Sequence, residues 1–238
     1  MKRIVPVLSF LVVAILAAVV GWSANPAADG ENWPQWRGPQ ATGATATGNP
    51  PVEWGETKNV KWKVEIPGKG SSTPVIWGDK IFVLTAVPTG EAVKPPQAEE
   101  PGGAQEGQRR RGPRGAQPTH KQKFTVLAIS RTTGKVLWQT PVREELPHEG
   151  HHPTNTWASH SAITDGQNVY AFFGSRGFYC LDMNGKVKWE KDFGDQATRL
   201  GFGEGSTPAL HGDRLIVLWD HEGEDFIAAL DKKTGKEL

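Results

Sequence analysis

The sequence predicts an all-β protein, a β-propeller of four-stranded blades, on three observations. Its 238 residues include 28 Gly and 10 Trp, a composition typical of many short strands joined by tight turns around large aromatic side chains. A strand–turn–strand module recurs three times, and a second module ending in a glycine turn follows each copy. The repeat distance is roughly 50 residues once an insertion is set aside, as expected of propeller blades.

The first module occupies residues 72–84, 159–170 and 206–218. Each copy joins two apolar runs through a turn that combines glycine with aspartate, as in Gly78-Asp79 and Gly212-Asp213. Short apolar runs separated by such a turn predict an antiparallel hairpin. We therefore expect each copy to form half of a blade.

The second module places a glycine in a tight turn and, in two copies, a tryptophan four residues later. The glycines are Gly134, Gly185 and Gly235, and the tryptophans are Trp138 and Trp189. Glycine supplies the positive φ that such turns require. The tryptophans are expected to pack against the neighbouring blade, so we assign all five residues to the architecture.

The residues before these turns are also expected to be structural. Asp182 and Asp231 can accept hydrogen bonds from turn amides, and Ser130 holds the equivalent position in the first copy. Trp62 resembles the outer-strand tryptophan of a blade whose other strands are absent, and a third module tryptophan would fall just beyond Leu238. We therefore expect an N-terminal fragment of about three blades plus one closing strand, an incomplete ring, because closed propellers have about four to eight blades.

The start of the chain predicts export. Two basic residues precede an apolar run from Ile4 to Val20, and small and polar residues follow it. This order is typical of a secretory signal peptide, and the run is slightly shorter than the ~18 residues of a membrane-spanning helix. We assign residues 1–24 to a signal peptide and expect a periplasmic or extracellular protein with no membrane span after cleavage. An uncleaved anchor is the alternative.

Three further segments follow the signal peptide. Residues 25–58 are predicted to be an irregular lead-in with an aromatic patch at 33–38, and residues 59–238 a partial propeller. Within the propeller, residues 88–121 are rich in Pro, Gly and Arg and nearly lack large apolar side chains. Such a composition cannot bury enough surface to offset its ordering entropy, so it predicts a disordered insert between two strands.

Composition excludes several classes of function. The net charge of +1 gives no electrostatic reason to expect a nucleic-acid partner. Cys180 is the single cysteine, so the chain cannot form an internal disulfide or a cysteine-based zinc site.

The second module resembles the A-x-D-x-x-T-G-x-x-x-W signature of the PQQ-like β-propeller repeat family. Residues 229–236 match it up to the last positions, residues 128–138 match except at Ser130, and residues 180–189 match with a turn one residue shorter. The resemblance covers roughly residues 59–238 apart from the insert. The aromatic lead-in at 33–38 is also similar to the mature start of some secreted members.

The resemblance implies two different functions. One branch of the family contains quinoprotein dehydrogenases, which hold pyrroloquinoline quinone and Ca²⁺ on the propeller axis, typically beside a vicinal pair of cysteines. Another branch resembles the outer-membrane assembly factor BamB, a non-catalytic scaffold. This sequence has one cysteine and no clear Asp/Glu/Asn cluster for the six to eight oxygen ligands of Ca²⁺. Absent blades remain a possible source of such residues.

A histidine-rich loop and one arginine are the candidates for ligand contact. The loop at 148–160 contributes His151, His152, Asn155 and His160, either as contacts to a ligand or metal ion or as hydrogen bonds that anchor the loop. Arg176 lies in a tight hairpin, where it either binds an anion or forms a solvated turn.

The same loop contains a literal H-E-x-x-H pattern at 148–152. Its zinc chemistry needs a helix that places both histidines on one face, but Pro147, Gly150 and Pro153 predict a loop instead. We therefore predict no metal site and no catalytic residue, with a metal on the histidine-rich loop as a weaker alternative.

These patterns lead to one functional expectation and one alternative. We expect an exported, non-catalytic binding or scaffold protein without a cofactor, with a protein or small-molecule ligand on the propeller face. The alternative is an oxidoreductase that depends on pyrroloquinoline quinone and Ca²⁺, or a degenerate relative of one.

Overall fold

The computed structural model describes residues 32–45, 48–93 and 117–238. The predicted signal peptide at 1–24 and most of the predicted insert lie outside the described residues. Within the described ranges, no helix is long and apolar enough to span a bilayer.

The described residues form eleven strands in three antiparallel sheets. The strands are β1 (Val75–Trp77), β2 (Lys80–Thr89), β3 (Lys121–Ser130), β4 (Val136–Glu145), β5 (Ile163–Thr164), β6 (Asn168–Phe172), β7 (Phe178–Asp182), β8 (Val187–Lys191), β9 (Ala209–His211), β10 (Arg214–Trp219) and β11 (Phe226–Asp231). Two short 3₁₀ turns accompany them, at Gly174–Arg176 and Arg199–Gly201.

Each sheet is a meander in which every strand pairs with its neighbours in sequence. Blade 1 is β1 to β4, blade 2 is β5 to β8, and blade 3 is β9 to β11. The last residues of the chain pair with β11, since Leu238 N–H donates to Ala229 O at 2.8 Å. The predicted fold class is confirmed: an all-β propeller of four-stranded blades in an open arrangement that does not close into a ring.

The innermost strands start later than the sequence predicts, because side chains replace the backbone ladder at their beginnings. Ser72 Oγ accepts the Leu84 N–H at 2.9 Å, so β1 begins only at Val75. In the next blade, Ser161 Oγ accepts the Thr73 N–H at 2.9 Å and so joins two blades. These serines use their side chains to link elements where a regular strand was expected.

The connection between β2 and β3 is shorter than the predicted insert. Pro88 and Thr89 continue β2, and Lys121 begins β3 opposite Thr89. The connection therefore spans 90–120, because the alternating strand pattern extends further at both ends than composition indicated.

The core consists of two clusters, one between each pair of successive blades. Alternate residues of β6 point to opposite faces of blade 2, as the period of a strand requires. Val169 and Ala171 join the cluster shared with blade 1, whereas Tyr170 and Phe172 join the cluster shared with blade 3. Blade 2 is thus buried on both faces of its sheet. The three blades are held next to one another by apolar contacts between the faces of successive sheets.

The aromatic lead-in is part of this packing. Trp33 exchanges two backbone hydrogen bonds with Ile76 of β1, at 2.8 and 2.9 Å, and Pro34 O accepts the Thr164 N–H of β5 at 2.9 Å. The segment therefore spans the innermost strands of two blades, a contact that its irregular sequence did not predict.

Candidate functional site

Connections between antiparallel strands alternate between the two ends of the strands. The connections at one end of all three blades form one surface of the molecule, and those at the other end form a second surface. The turn face carries the short connections β1–β2, β3–β4, β5–β6, β7–β8 and β9–β10. The loop face carries β2–β3, β4–β5, β6–β7, β8–β9 and β10–β11, including the long segments 146–162 and 192–208. The predicted structural residues lie on the turn face, and the predicted ligand-facing residues lie on the loop face.

On the turn face, a tryptophan of one blade covers the turn glycine of the next. A Cβ atom on Gly185 would lie 2.7 Å from the Trp138 ring, so glycine is required there for the approach as well as for its φ of 87°. Three such pairs recur: Trp62 with Gly134, Trp138 with Gly185, and Trp189 with Gly235. We call each pair a Trp–Gly clasp.

Each clasp also contains a hydrogen bond from the indole Nε1–H to a backbone carbonyl. The distances are 2.8 Å for Trp62 and 3.1 Å for both Trp138 and Trp189. The accepting carbonyls belong to Arg131, Met183 and Lys232, one residue after the aspartate or serine position of each repeat. Trp62 therefore occupies the position of an outer-strand tryptophan, although its own segment forms no strand.

The turn aspartates accept amide hydrogen bonds. Asp182 Oδ1 accepts the Asn184 and Lys186 N–H groups at 2.8 and 3.0 Å. Asp231 Oδ1 accepts the Thr234 N–H at 2.8 Å. Hydrogen bonds to each carboxylate lower its pKa, chiefly from the Lys186 amide at Asp182 and from the Thr234 hydroxyl at Asp231.

Blade 1 fills this role with two residues. Ser130 Oγ accepts the Thr133 N–H at 3.1 Å and donates to Asp79 Oδ2 at 2.9 Å. Asp79 Oδ1 in turn accepts the Thr132 N–H at 2.7 Å. The carboxylate missing from position 130 is thus supplied by the neighbouring β1–β2 turn.

Arg176 is the centre of the polar network on the loop face. It is buried, and its Nη1 lies 3.0 Å from Glu145 Oε1 and 3.1 Å from Asp195 Oδ1. Its Nη2 donates to His148 Nδ1 at 2.6 Å. The interpretation of Arg176 as a solvated turn is therefore wrong, and its charge is already balanced by carboxylates from the end of β4 and from the β8–β9 connection.

His148 joins this network through both ring nitrogens. Its Nδ1 lies 2.6 Å from Arg176 Nη2, which donates to it, and its Nε2 lies 2.7 Å from Gln196 O. Nδ1 also lies 3.4 Å from Asp195 Oδ1. The ring therefore ties the β4–β5 connection to the β8–β9 connection.

Two glutamates make further ties between connections. Glu149 Oε2 accepts the Thr198 N–H at 3.0 Å and its Oγ1–H at 2.7 Å. Glu204 accepts the Ser175 N–H at 2.8 Å and its Oγ–H at 2.6 Å. Burial raises the pKa of Glu204 above its ordinary value, while the hydrogen bonds from Ser175 oppose that rise.

Three of the predicted ligand-facing residues make contacts within the loop face. His151 packs edge-to-face on Trp157 with ring centres 4.4 Å apart. His152 Nδ1 lies 2.8 Å from Thr154 Oγ1. Asn155 Nδ2 donates to Phe202 O at 3.0 Å. These contacts correspond to loop anchoring, one of the two alternatives that the sequence left open.

His160 differs from the other loop histidines because it is buried with no polar contact. It is 2% exposed and packs edge-to-face on Phe172 with ring centres 5.0 Å apart. Within the described part of the chain, neither ring nitrogen has a hydrogen-bond partner. Complete burial lowers the pKa of His160 to about 4, so the ring is neutral at physiological pH.

The loop face has an inner cavity and an outer groove that share a wall. The inner cavity, about 10 Å³ in volume, is lined by His160, Glu204 and Arg176 among others. The outer groove, about 580 Å³, runs along the ends of β2 and β3 past Lys69. Trp157 and its neighbour Thr156 line both spaces.

The candidate residues do not form a metal centre or a nucleophilic site in the described ranges. No three His, Cys, Asp or Glu side chains there converge closely enough to hold a metal ion. Cys180 is buried, and that burial raises the pKa of its thiol to about 12, so the reactive thiolate is not populated.

Sequence reasoning missed the partners that complete the loop face. Glu145 ends the outer strand β4, and Asp195 and Glu204 lie in the β8–β9 connection that leads to the next blade. A carboxylate at or soon after the end of an outer strand, as at Glu145 and Asp195, was the available signal. Which of these carboxylates pairs with Arg176 depends on how the three blades pack. The local spacing of residues in the sequence does not determine that packing.

Comparison with known proteins supports the repeat assignment. Residues 122–238 match the family model described as outer membrane protein assembly factor BamB. No curated protein matches the sequence.

Three solved structures show remote likeness. The quinohemoprotein alcohol dehydrogenase of Comamonas testosteroni is 14% identical over 72% of this chain and 20% of its own, with a TM-score of 0.41. BamB of Moraxella catarrhalis is 16% identical over 76% of this chain and 43% of its own, with a TM-score of 0.40. A quinohemoprotein alcohol dehydrogenase of Pseudomonas putida is 12% identical over 74% of this chain and 21% of its own, with a TM-score of 0.43. The chain thus spans less than half the length of each.

Two findings point to the same family. The turn-face repeats follow the A-x-D-x-x-T-G signature in register with the blades, apart from Ser130 and the shorter turn at 180–189, and the matched model covers the second half of blade 1 and all of blades 2 and 3. These findings support the resemblance of residues 122–238 to the PQQ-like β-propeller repeat family.

Proposed function

We propose that this protein is an exported propeller that works by binding rather than by catalysis, with its loop face as the binding surface for a protein partner in the cell envelope. The observation that carries the proposal is the internal pairing of the loop face. Arg176, His148, Glu149 and Glu204 hold one another and the backbone, so the groups that acid–base chemistry would need already serve as ties.

The shape of the loop face favours a partner of some size. The outer groove is open and much larger than the inner cavity, and it is lined by Trp157, His151 and the apolar ends of β2. Aromatic side chains beside polar groups are enriched at protein interfaces. On the turn face of the described residues, Trp62, Trp138 and Trp189 are used in clasps between blades.

The place of action follows from two considerations. The basic and apolar start of the sequence supports export. The matched family model is named for a factor of outer membrane protein assembly, which supports a partner in the envelope. The quinone-dependent oxidoreductase is the competing function, since quinohemoprotein dehydrogenases share the repeat.

Site-specific photo-crosslinking of the full-length mature protein in intact cells tests the proposal. A photoreactive phenylalanine analogue replaces Thr154, an exposed residue of the loop face. The matched control places the same group at Lys186, which is equally exposed on a turn of the other face. We expect a discrete protein adduct from position 154 and none from position 186.

Two outcomes would contradict the proposal. Adducts of equal yield from both positions would show that the loop face has no preference for a partner. Absence of adducts from position 154 and from neighbouring loop positions would remove the protein partner from the proposal.

A further inference from the structure

His160 lies where three connections of the loop face meet. It lies near the end of the β4–β5 connection, packs on Phe172 of β6, and faces the β6–β7 connection at Gly174. A Cβ atom on Gly174 would lie 2.9 Å from His160 Cε1 and 1.7 Å from Glu204 Oε2. The atom between the two ring nitrogens therefore points to the same small space as the Glu204 carboxylate.

The donors around this space are committed to other acceptors. Trp157 Nε1–H donates to Glu149 O at 3.0 Å, and the Thr198 hydroxyl donates to Glu149 Oε2. The Ser175 hydroxyl donates to Glu204. None of these three donors is left for the unprotonated nitrogen of His160, so the protein groups that line the cavity do not satisfy the ring.

The hydrogen-bonding groups of the His160 imidazole determine which molecule can bind in the cavity. A neutral imidazole has one N–H donor and one acceptor nitrogen. The face of Phe172 can accept a weak contact from an N–H, but it has no donor for the other nitrogen. An anion is disfavoured beside Glu204, and an ammonium ion cannot accept the imidazole N–H. A hydroxyl group both donates and accepts, and Glu204 retains lone pairs for a second O–H.

The size of the space leaves room for one oxygen between His160 and Glu204, so any carbon atoms of a guest would lie outside it. A site for one water needs about 10–15 Å³, together with two to four polar partners. The cavity offers about 10 Å³ and, in His160 and Glu204, the polar partners. We propose that this cavity is a hydroxyl-binding site that bridges His160 to Glu204, filled by water in the free protein and open to a ligand hydroxyl of the same chemistry.

The test uses the full-length mature protein with ¹³C-labelled histidine. The Cε1–H of His160 faces the site, so a long-lived guest gives it a direct cross-relaxation peak at the water frequency. We expect that peak in wild type, and we expect His160→Phe, which lacks the observed Cε1–H, to hold one long-lived water fewer as counted by ¹⁷O relaxation dispersion. The control His152→Phe removes a loop histidine with a local partner and leaves both signals unchanged.

The two sources of the hydroxyl are separated by adding ethylene glycol. Replacement of the water peak by peaks to the glycol methylene protons shows that the site accepts ligand hydroxyls, and persistence of the water peak shows that water is the occupant. Absence of any peak at His160 Cε1–H in wild type, with equal numbers of long-lived waters in wild type and His160→Phe, overturns the proposal. The wild-type measurement stands even where the variant folds poorly.

Discussion

The two faces of this molecule are held together by different kinds of contact. The turn face repeats one device three times, the Trp–Gly clasp, with its indole hydrogen bond to a turn carbonyl. The polar network on the loop face of the described residues is not repeated in this way: Arg176, His148 and Glu204 each have partners found once. Repetition indicates architecture that every blade needs, whereas the unrepeated network lies on the face that we propose as the binding surface.

The largest effect is expected from opening one clasp. Trp138→Ala removes an indole that packs on Phe82, covers Gly185 and donates to Met183 O. We expect a loss of about 4 kcal/mol in the free energy of unfolding, as for other large-to-small aromatic changes. Urea denaturation of the mature protein measures it. The control Trp54→Ala removes a 72% exposed tryptophan and should change stability by no more than about 0.5 kcal/mol. Equal losses of stability in Trp138→Ala and Trp54→Ala would show that the clasp contributes no more to stability than an exposed tryptophan does.

The second-largest loss of stability is expected from substitution of the glycine of the same clasp. Gly185→Ala introduces a Cβ at φ of 87° and 2.7 Å from the Trp138 ring. We expect a loss of about 3 kcal/mol, because left-handed strain and overpacking add. Gly194→Ala has a nearly identical φ of 90° with no atom within 4 Å of the new Cβ, so it reports the strain alone, about 1 kcal/mol. If Gly185→Ala and Gly194→Ala lost the same free energy of unfolding, the close approach of Trp138 to Gly185 would contribute nothing to stability.

The third prediction concerns the loop face. Arg176→Met keeps most of the side-chain volume but removes the guanidinium that pairs with Asp195 and leaves Glu145 with Arg143 as its remaining arginine. We expect a loss of about 2 kcal/mol, below the range for a fully buried pair because Asp195 is exposed. Thermal unfolding checks it against Lys191→Met, which breaks a surface pair of 3.8 Å and should cost under about 1 kcal/mol. In cells, crosslinking from position 154 should weaken in Arg176→Met, whereas an unchanged yield would separate the network from partner binding.

The smallest effect is a dependence of stability on pH. Burial lowers the pKa of folded His160 to about 4, so the unfolded chain binds the proton first as pH falls. The contribution of His160 is fully present above about pH 6.5 and is lost as pH falls towards 4. Between pH 7 and 5.5 we expect a loss of about 1 kcal/mol in wild type relative to His160→Phe.

Comparison with the variant is needed because Glu204 acts in the opposite direction. Burial raises the pKa of its folded carboxyl, so its contribution favours the folded state at lower pH and declines as pH rises through the folded pKa. The His160→Phe difference isolates the histidine, and His152→Phe serves as the matched control that keeps the slope. Parallel pH curves for wild type and His160→Phe would contradict the burial of a neutral ring.

The contrast between the faces also explains what could be predicted from the sequence. Trp138 follows Gly134 by four residues, and Trp189 follows Gly185 by the same interval. Local spacing was therefore sufficient to predict the structural residues of the turn face. The inner strands were placed too early, because Ser72 bonds through its side chain where a ladder was expected. The role of the lead-in depends on the closeness of β1 and β5, which no local pattern records.

The loop face was predictable only as a list of residue types. The histidine-rich loop was recognised, but the sequence could not show that His160 is buried while His152 bonds its neighbour. Nor could it show that Arg176 is neutralised by Glu145 and Asp195, since these residues come from connections brought together by the packing of blades. Charge pairing over such separations is a tertiary property.

The measurement that most directly tests binding without catalysis is titration of the full-length mature protein with pyrroloquinoline quinone and Ca²⁺, followed by calorimetry and absorbance. The account predicts no stoichiometric uptake of the quinone with or without Ca²⁺. Uptake of one equivalent that requires Ca²⁺ would contradict it and make the protein a quinone-dependent oxidoreductase.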